Sequence, residues 1–198
     1  MIDIQYIFGE LLHLNPIARF LFGHIATFLF FMVLLINFGR TSVNNSGCLK
    51  KEQTYEPLTL SFVMFISYSI LIPIEYSYWF SEIRSVYLPN TLYLALDLLT
   101  IVFIRWFFKP KSETGKLCCL YLLVALSVNS SLFLLLQMDF LLTYHRLKEE
   151  GYWWFWTVFS YGINTFDLIM VLILVIQKDF LGWYKLAEKI KGANRALN

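Results

Sequence analysis

The segment YWWFWTVFSYGINTFDLIMVLILVIQK, residues 152–178, contains one acidic residue, Asp167, inside an otherwise apolar run. The segment is longer than the roughly 20 residues that an α-helix needs to cross a bilayer. A carboxylate near the bilayer centre costs at least about 2.5–3.5 kcal/mol, so Asp167 should face protein or water and not lipid. The segment therefore predicts a transmembrane helix in a bundle with a polar interior.

The composition of the whole chain agrees with that prediction. The 198 residues are 58% hydrophobic and 15% charged, whereas a soluble domain is about 25% charged. The formal net charge of +2 is too small to indicate a nucleic-acid partner. The 3 cysteines form neither a CxxC motif nor a cluster with histidine, so we expect no metal site and no cofactor.

The apolar blocks predict an all-α integral membrane bundle that forms one domain over residues 1–198. Proline and glycine mark where the spans begin and end. Pro57 and Pro89 are expected to open the second and third spans, Gly39 to follow the first, and Pro110 to follow the third. Pro73 predicts a kink in the second span. We expect spans at about residues 16–36, 58–80, 90–108, 117–144 and 153–177.

The distribution of basic residues predicts the orientation of the bundle. With the amino terminus outside and the carboxyl terminus inside, 12 of the 16 lysines and arginines lie on the cytoplasmic side. Cytoplasmic loops carry such an excess of positive charge. We therefore expect a multi-pass protein of the plasma or bacterial inner membrane.

Both ends of the chain are predicted to form amphipathic helices that lie on the membrane surface. Residues 1–14 place apolar side chains at helical spacing, and residues 178–198 combine an aromatic stripe with five basic residues. The basic tail is also a candidate docking site for a cytoplasmic protein, through Lys185, Lys189 and Lys191.

Two helical hairpins have related sequences. Ser67-Tyr68-Ser69 in the second span resembles Asn129-Ser130-Ser131 in the fourth, and the surroundings of Asp97 resemble those of Asp167. Both hairpins run in the same direction, so the hypothesis is a parallel repeat of the kind found in some transporters. Chance similarity between apolar helices is the alternative.

Polar residues recur on single helical faces of three spans, which predicts that these faces turn inward toward one another. In the fifth span the spacing is i, i+3, i+7 and i+10, and the third span repeats it. The members are Thr157, Ser160, Asn164 and Asp167 in the fifth span, Asn90, Tyr93, Asp97 and Thr100 in the third, and Ser61, Tyr68 and Glu75 in the second.

These faces predict an acid-lined binding site. Asp97 and Asp167 are placed at its inner part, and Glu75 and Asp139 at its outer mouth. Either bound protons or a bound cation would neutralise the acids. The predicted ligand-binding or ion-binding residues are Asp97, Asp167, Glu75, Asp139, Asn164, Tyr93 and His24.

Three functions are compatible with such a bundle. The first is binding or conduction of a small cation, proton or cationic solute, with homo-oligomers forming any conducting pore. The second is a non-transporting membrane subunit that anchors a cytoplasmic partner. The third is a membrane-embedded enzyme, which is disfavoured because the GxSxG, HExxH, Walker A and GxGxxG motifs are absent and no glycine flanks Asp97 or Asp167. We expect a protein that is not an enzyme.

Overall fold

The computed structural model describes residues 24–44, 51–75, 87–143 and 154–196. These ranges contain helices and connecting segments and no strand, so the predicted all-α class is confirmed. The helices in chain order are α1 (Ile25–Asn44), α2 (Lys51–Ser69), α3 (Leu71–Glu75), α4 (Tyr87–Phe107), α5 (Glu113–Thr143), α6 (Trp154–Ile176) and α7 (Trp183–Ala196).

Within the described residues, 5 helical stretches are long and apolar enough to cross a membrane. Their number agrees with the predicted number of spans, and the third, fourth and fifth begin and end close to the predicted limits. The stretches are Ile25–Val43, Tyr55–Ile74, Asn90–Phe107, Glu113–Asp139 and Thr157–Ile176. The orientation in the membrane and the hairpin repeat stay predictions.

Helix α5 lies at the centre of the bundle and packs against α2, α4, α6 and α7. Helix α1 packs against α2 and α6. One end of the bundle, which we call the packed half, holds the start of α5 and the ends of α1, α4 and α6. The opposite end, which we call the cavity half, holds the starts of α1, α4 and α6 and the ends of α2 and α5. The predicted orientation places the cavity half outside.

The packed half contains the main hydrophobic core. Lipid tails are as apolar as leucine, so these helices associate through close van der Waals packing and interhelical hydrogen bonds. Fully buried members from five helices are Phe30, Leu60, Met64, Ile104, Tyr121, Leu122, Leu126, Met170 and Leu174.

Two predicted helix boundaries are wrong. Helix α1 continues to Asn44, so Gly39 lies inside it. Helix α2 begins at Lys51, so Pro57 lies within the helix and does not open it. The Pro57 carbonyl accepts a hydrogen bond from Ser61 Oγ at 2.7 Å. Residues 40–44 and 51–57, which lie between the first two predicted spans, are therefore helical. Arg40 and Glu56 in these extensions bond to the end of α6 and to the segment before α5.

The second span is interrupted near Pro73. Helix α2 ends at Ser69 and α3 begins at Leu71, with Ile70 between them. Proline lacks the N–H that would bond to the carbonyl of Ser69, so a break at this level follows from its chemistry. The end of the predicted span, residues 76–80, lies outside the described residues.

The structure describes the amphipathic segment at the carboxyl terminus but not the one at the amino terminus. The predicted helix over residues 1–14 lies outside the described residues. At the other end, α7 packs on α5, and the Tyr121 ring lies 4.9 Å from the Trp183 ring and 5.5 Å from the Phe180 ring. Part of the aromatic stripe therefore contacts the bundle, while Lys185 and Lys189 are exposed.

Candidate functional site

A cavity of about 330 Å³ lies in the cavity half, between α1, α2, α4, α5 and α6. It brings together five of the seven predicted site residues: Asp97, Asp167, Tyr93, Asn164 and His24. The other lining residues, in chain order, are Ile25, Ala26, Thr27, Ser67, Tyr68, Leu71, Asn90, Leu96, Asn129, Phe133, Phe159 and Ile163.

Asp167 forms part of the floor of the cavity and is held by two neighbouring helices. Its Oδ1 accepts a hydrogen bond from the Tyr68 hydroxyl at 2.6 Å and another from Asn129 Nδ2 at 2.9 Å. The side chain is only 9% exposed. One oxygen atom therefore links α2, α5 and α6, which gives Asp167 a structural role in addition to any role in binding.

Asp97 lines the same cavity, but its hydrogen bonding differs from that of Asp167. It is 6% exposed, and its Oδ2 has no hydrogen-bond partner among the described residues. Asn129, which is 1% exposed, likewise leaves its Oδ1 without a partner in the described part of the chain. Asp97 and Asp167 are close enough to interact electrostatically. Two acceptor oxygens are thus buried beside the cavity and unused, in a protein interior where such groups are normally paired.

Short hydrogen bonds between hydroxyl groups position the helices around Asp97. Ser67 Oγ and Thr100 Oγ1 lie 2.7 Å apart, and Thr100 Oγ1 also bonds to the Leu96 carbonyl at 2.7 Å. Because Thr100 lies one turn beyond Asp97, this contact fixes α4 against α2 directly below the acid. Thr27 donates to the Tyr68 carbonyl at 3.3 Å and so connects α1 to the same region.

Aromatic rings form one wall of the cavity. The Tyr93 and Phe133 rings stack with centroids 5.6 Å apart, and Phe159 meets Phe133 edge to face at 5.2 Å. Aromatic faces attract cations within about 6 Å of the ring centroid. The cavity thus combines buried acceptor oxygens with an aromatic and aliphatic wall.

The remaining predicted residues are placed less centrally. Asn164 lines the cavity, but its Nδ2 donates to the Ser160 carbonyl of its own helix at 2.7 Å. His24 lies just before α1 and is the one basic residue among the described lining residues. Asp139 is half-buried and does not line the cavity. The Glu75 side chain lies outside the described residues, so its predicted place at the mouth stays a prediction.

Tyr68 and Asn129 were not predicted as site residues. Signals for both were present, since Tyr68 belongs to the seven-residue polar spacing of the second span and Asn129 to the hairpin similarity. Helical spacing identifies an inward face, but it does not identify the residue on another helix that the face meets. The pairing of Asp167 with these two residues therefore required the structure.

Polar groups in the packed half form a contrasting set. Glu56 accepts hydrogen bonds from the backbone N–H of Lys111 at 2.7 Å and of Ser112 at 3.1 Å, and also from the Ser112 hydroxyl. Ser112 is the N-cap of α5, because its Oγ accepts a hydrogen bond from the Gly115 N–H at 2.9 Å. Glu56 completes this cap by holding Ser112 in place, and its carboxylate near the helix amino terminus interacts favourably with the helix dipole.

The end of α6 is capped by side chains of α1. Asn37 Nδ2 donates to the Leu174 carbonyl at 3.2 Å and to Ser61 Oγ at 2.7 Å, and Arg40 donates to the Val175 carbonyl at 2.6 Å. Gln177 donates to Asn37 Oδ1 at 2.9 Å. The last carbonyls of a helix lack partners within it, so this network satisfies them inside the bundle.

No group of three or more His, Cys, Asp and Glu side chains within the described ranges is arranged to hold a metal ion. Comparison of the chain with protein-family models, with curated proteins and with solved structures finds no match. The function is therefore argued from the cavity itself.

Proposed function

We propose that this chain is a multi-pass protein of the cell membrane that binds a small cation, a proton or a cationic solute in the cavity described above. The observation that carries the proposal is the Oδ2 atom of Asp97, which is buried at the cavity and has no hydrogen-bond partner among the described residues. An ionisable group inside a membrane is costly unless it is neutralised, and such groups mark ligand and ion pathways.

The rest of the lining supports a positively charged occupant. Two acidic side chains reach the described lining, and no lysine or arginine does so. Asp167 already accepts from Tyr68 and Asn129, which stabilises its own charge. Asp97 has no such bonds at Oδ2, so a proton or cation in the cavity would supply the missing partner.

The packed half favours binding over a permanently open pore through one chain. Beneath the floor of the cavity, the space between the helices is filled by fully buried side chains such as Phe30, Met64 and Leu126. Transport by a single copy would therefore need the packed half to open. A pore shared between copies of the chain, with homo-oligomerisation, is the linked proposal for conduction.

Uptake of labelled alkali cations and of protons into proteoliposomes tests the proposal in its conducting form. Replacing Asp97 by Asn keeps the shape of the side chain and removes its charge, so uptake should fall by about tenfold or more. Glu188→Gln is the matched control, because Glu188 is an exposed carboxylate on α7. Uptake that is equal in all three proteins, or absent from all three, would contradict transport through this cavity.

A second function is favoured by the exposed basic side chains of α7. Lys185 and Lys189 point away from the bundle while Trp183 and Tyr184 pack against it. We propose as the alternative a membrane subunit that docks an acidic cytoplasmic partner on α7, with Lys191 as a further predicted contact. Reversing the charges of Lys185 and Lys189 should then abolish co-purification of that partner, whereas Asp97→Asn should leave it intact.

A further inference from the structure

We propose that the occupant of the cavity is a protonated primary or secondary amine with an apolar body, and not a bare metal cation. This inference rests on the proposed function and specifies its ligand. It is carried by the size of the cavity, by the number and type of its unused polar atoms, and by its aromatic wall.

The size of the cavity is that of a small-molecule site. Its volume is about 330 Å³, at the lower end of the range of roughly 300–1,000 Å³ that small-molecule sites occupy. A single water takes about 30 Å³ of liquid volume. A bare ion would leave most of the cavity to be filled by other molecules, whereas a small organic molecule would fill it.

The polar atoms also fit an ammonium group better than a metal ion. A hard cation such as Ca²⁺ takes about 6–8 oxygen ligands, with carboxylates prominent among them, and the described residues contain no group of three or more His, Cys, Asp and Glu side chains arranged to hold a metal ion. Among the described residues that line the cavity, the buried side-chain atoms without a hydrogen-bond partner are two acceptors, Asp97 Oδ2 and Asn129 Oδ1. A protonated amine carries a positive charge that can neutralise Asp97 and N–H donors that can bond to an acceptor oxygen of the lining.

The aromatic wall of the cavity fits the apolar body of such an amine. Tyr93, Phe133 and Phe159 are in ring contact and line the cavity together. Their faces can attract the cation, and their edges and the neighbouring Leu96 and Ile163 can cover an apolar body. A small hydrated ion would gain little from this surface, because it would lose water without replacing its oxygen ligands.

Primary and secondary ammonium ions have N–H donors, whereas quaternary ammonium ions have none. A quaternary ammonium ion keeps the charge and the aromatic attraction but cannot donate to Asp97 Oδ2 or Asn129 Oδ1. We therefore expect it to bind more weakly than a primary amine with the same body.

The test measures binding to the purified full-length protein in mild detergent by isothermal titration. The probes are protonated 2-phenylethylamine, its neutral isostere 2-phenylethanol, phenyltrimethylammonium, Na⁺ and K⁺. The expected result is binding of the primary amine, with affinity at least about 100-fold weaker for the neutral isostere because it leaves the acid without a cation. The isostere comparison uses the unmodified protein, so it does not depend on a variant that folds.

Two variants test whether the amine binds in the cavity. Asp97→Asn should weaken binding of the amine by about 100-fold or more, and Phe133→Leu should weaken it by about 2-fold to 30-fold through loss of one aromatic face. Glu188→Gln should bind as the unmodified protein does. Equal binding of amine and isostere, or amine binding that persists in Asp97→Asn, would overturn the inference.

The remaining outcomes separate this inference from the proposed function. Binding of Na⁺ or K⁺ that depends on Asp97, with no binding of the amine, would overturn the amine inference and leave the proposed function standing. If neither the amine nor an alkali cation binds, and Asp97→Asn also leaves proton uptake unchanged, both proposals fail.

Discussion

The two halves of the bundle use their buried polar residues differently. In the packed half, Glu56, Asn37 and Arg40 bond to backbone groups at helix ends. In the cavity half, Asp97 and Asn129 each keep an acceptor oxygen that no described residue uses. Buried polar atoms without partners in the described residues occur on the cavity side, at Ser69, Asp97, Asn129, Ser130 and Gln137.

This difference shows how a polar residue within a membrane can be interpreted. A polar side chain that satisfies a helix end lowers the cost of burying that end, and its conformation is fixed by the protein itself. A polar side chain with an unused atom beside a cavity carries an unpaid desolvation cost, which a ligand can relieve. Within the cavity lining, pairing therefore distinguishes the unbonded oxygens of Asp97 and Asn129 from groups such as the Asp167 carboxylate that connect the helices.

The largest expected effect compares the two acids of the cavity. Asp167→Ala removes the acceptor for Tyr68 and Asn129. It leaves two buried donors unpaired, so the free energy of unfolding should fall by about 2–6 kcal/mol, at roughly 1–3 kcal/mol for each donor. Asp97→Ala should leave it unchanged or raise it, because no hydrogen bond to Oδ2 is lost and a buried polar atom without a partner is removed.

Denaturant unfolding of both variants in mild detergent, without added ligand, measures this difference. Tyr68→Phe provides a control, because it removes one of the two donor groups. In a Tyr68→Phe background, Asp167→Ala should therefore lower the free energy of unfolding by less than it does alone. Equal losses for the two alanine variants would show that Asp97 also holds the helices together, and the contrast between the acids would be wrong.

A smaller effect is expected where Glu56 completes the cap of α5 in the packed half. A Cβ atom at Gly115 would collide with the Glu56 carboxylate, whereas a Cβ at Gly39 would meet nothing within 4 Å. Gly115→Ala should therefore displace the cap and lower the free energy of unfolding by about 1–2 kcal/mol. Gly39→Ala should leave it unchanged or raise it by about 0.5–1 kcal/mol, since alanine favours helix.

Unfolding of the double variant tests whether Glu56 transmits the effect of Gly115→Ala. If displacement of Glu56 is the cause, Gly115→Ala should lower the free energy of unfolding much less in a Glu56→Ala background than in the unmodified protein. Full additivity would show that the alanine acts through another contact. Neither change should alter affinity for a ligand of the cavity, because both residues lie in the other half.

The smallest effect concerns the attachment of α7. Burial tends to raise the pKa of Asp179, but hydrogen bonds from Tyr121 and from the backbone N–H of Lys185 and Tyr184 outweigh it and hold the pKa below the ordinary value of 3.8. Because this folded-state pKa is depressed, the stabilisation is present above pH 3.8 and is lost as the pH falls through the lower, folded value.

Hydrogen exchange of the first turn of α7 should therefore accelerate below pH 3.8, after correction for the intrinsic rate. In Asp179→Asn the exchange should already be faster at neutral pH and should lose this dependence. An unchanged pH dependence in the variant would assign the transition to another group. Exchange in α5 serves as the internal reference, because its core residues are fully buried.

The sequence was sufficient for the class of fold and for much of the cavity. Long apolar blocks predicted five helices, and the structure has five that are long and apolar enough to span a membrane in its described residues. The shared polar spacing placed Asp97 and Asp167 on inward faces, and both line the same cavity. Spacing along one helix determines which side chains share a face, so these features could be predicted from the sequence.

The features that the sequence analysis got wrong or missed depend instead on contacts between helices. Gly39 and Pro57 read as helix limits from their local chemistry, yet both lie inside helices whose neighbouring side chains pair across the bundle. The unequal bonding of Asp97 and Asp167 likewise depends on Tyr68 and Asn129, which lie on other helices. No pattern within a single span contains that information.

The central position of α5 has a consequence for biogenesis. Synthesis proceeds from the amino terminus, so α1, α2 and α4 are made before α5, and α6 follows it. In that interval the Ser67–Thr100 contact between α2 and α4 is already available, whereas both partners of Asp167 wait for the last spanning helix. Assembly of the acid pair is thus a late event, because Asp167 and its bonds to Tyr68 and Asn129 become available only with α6.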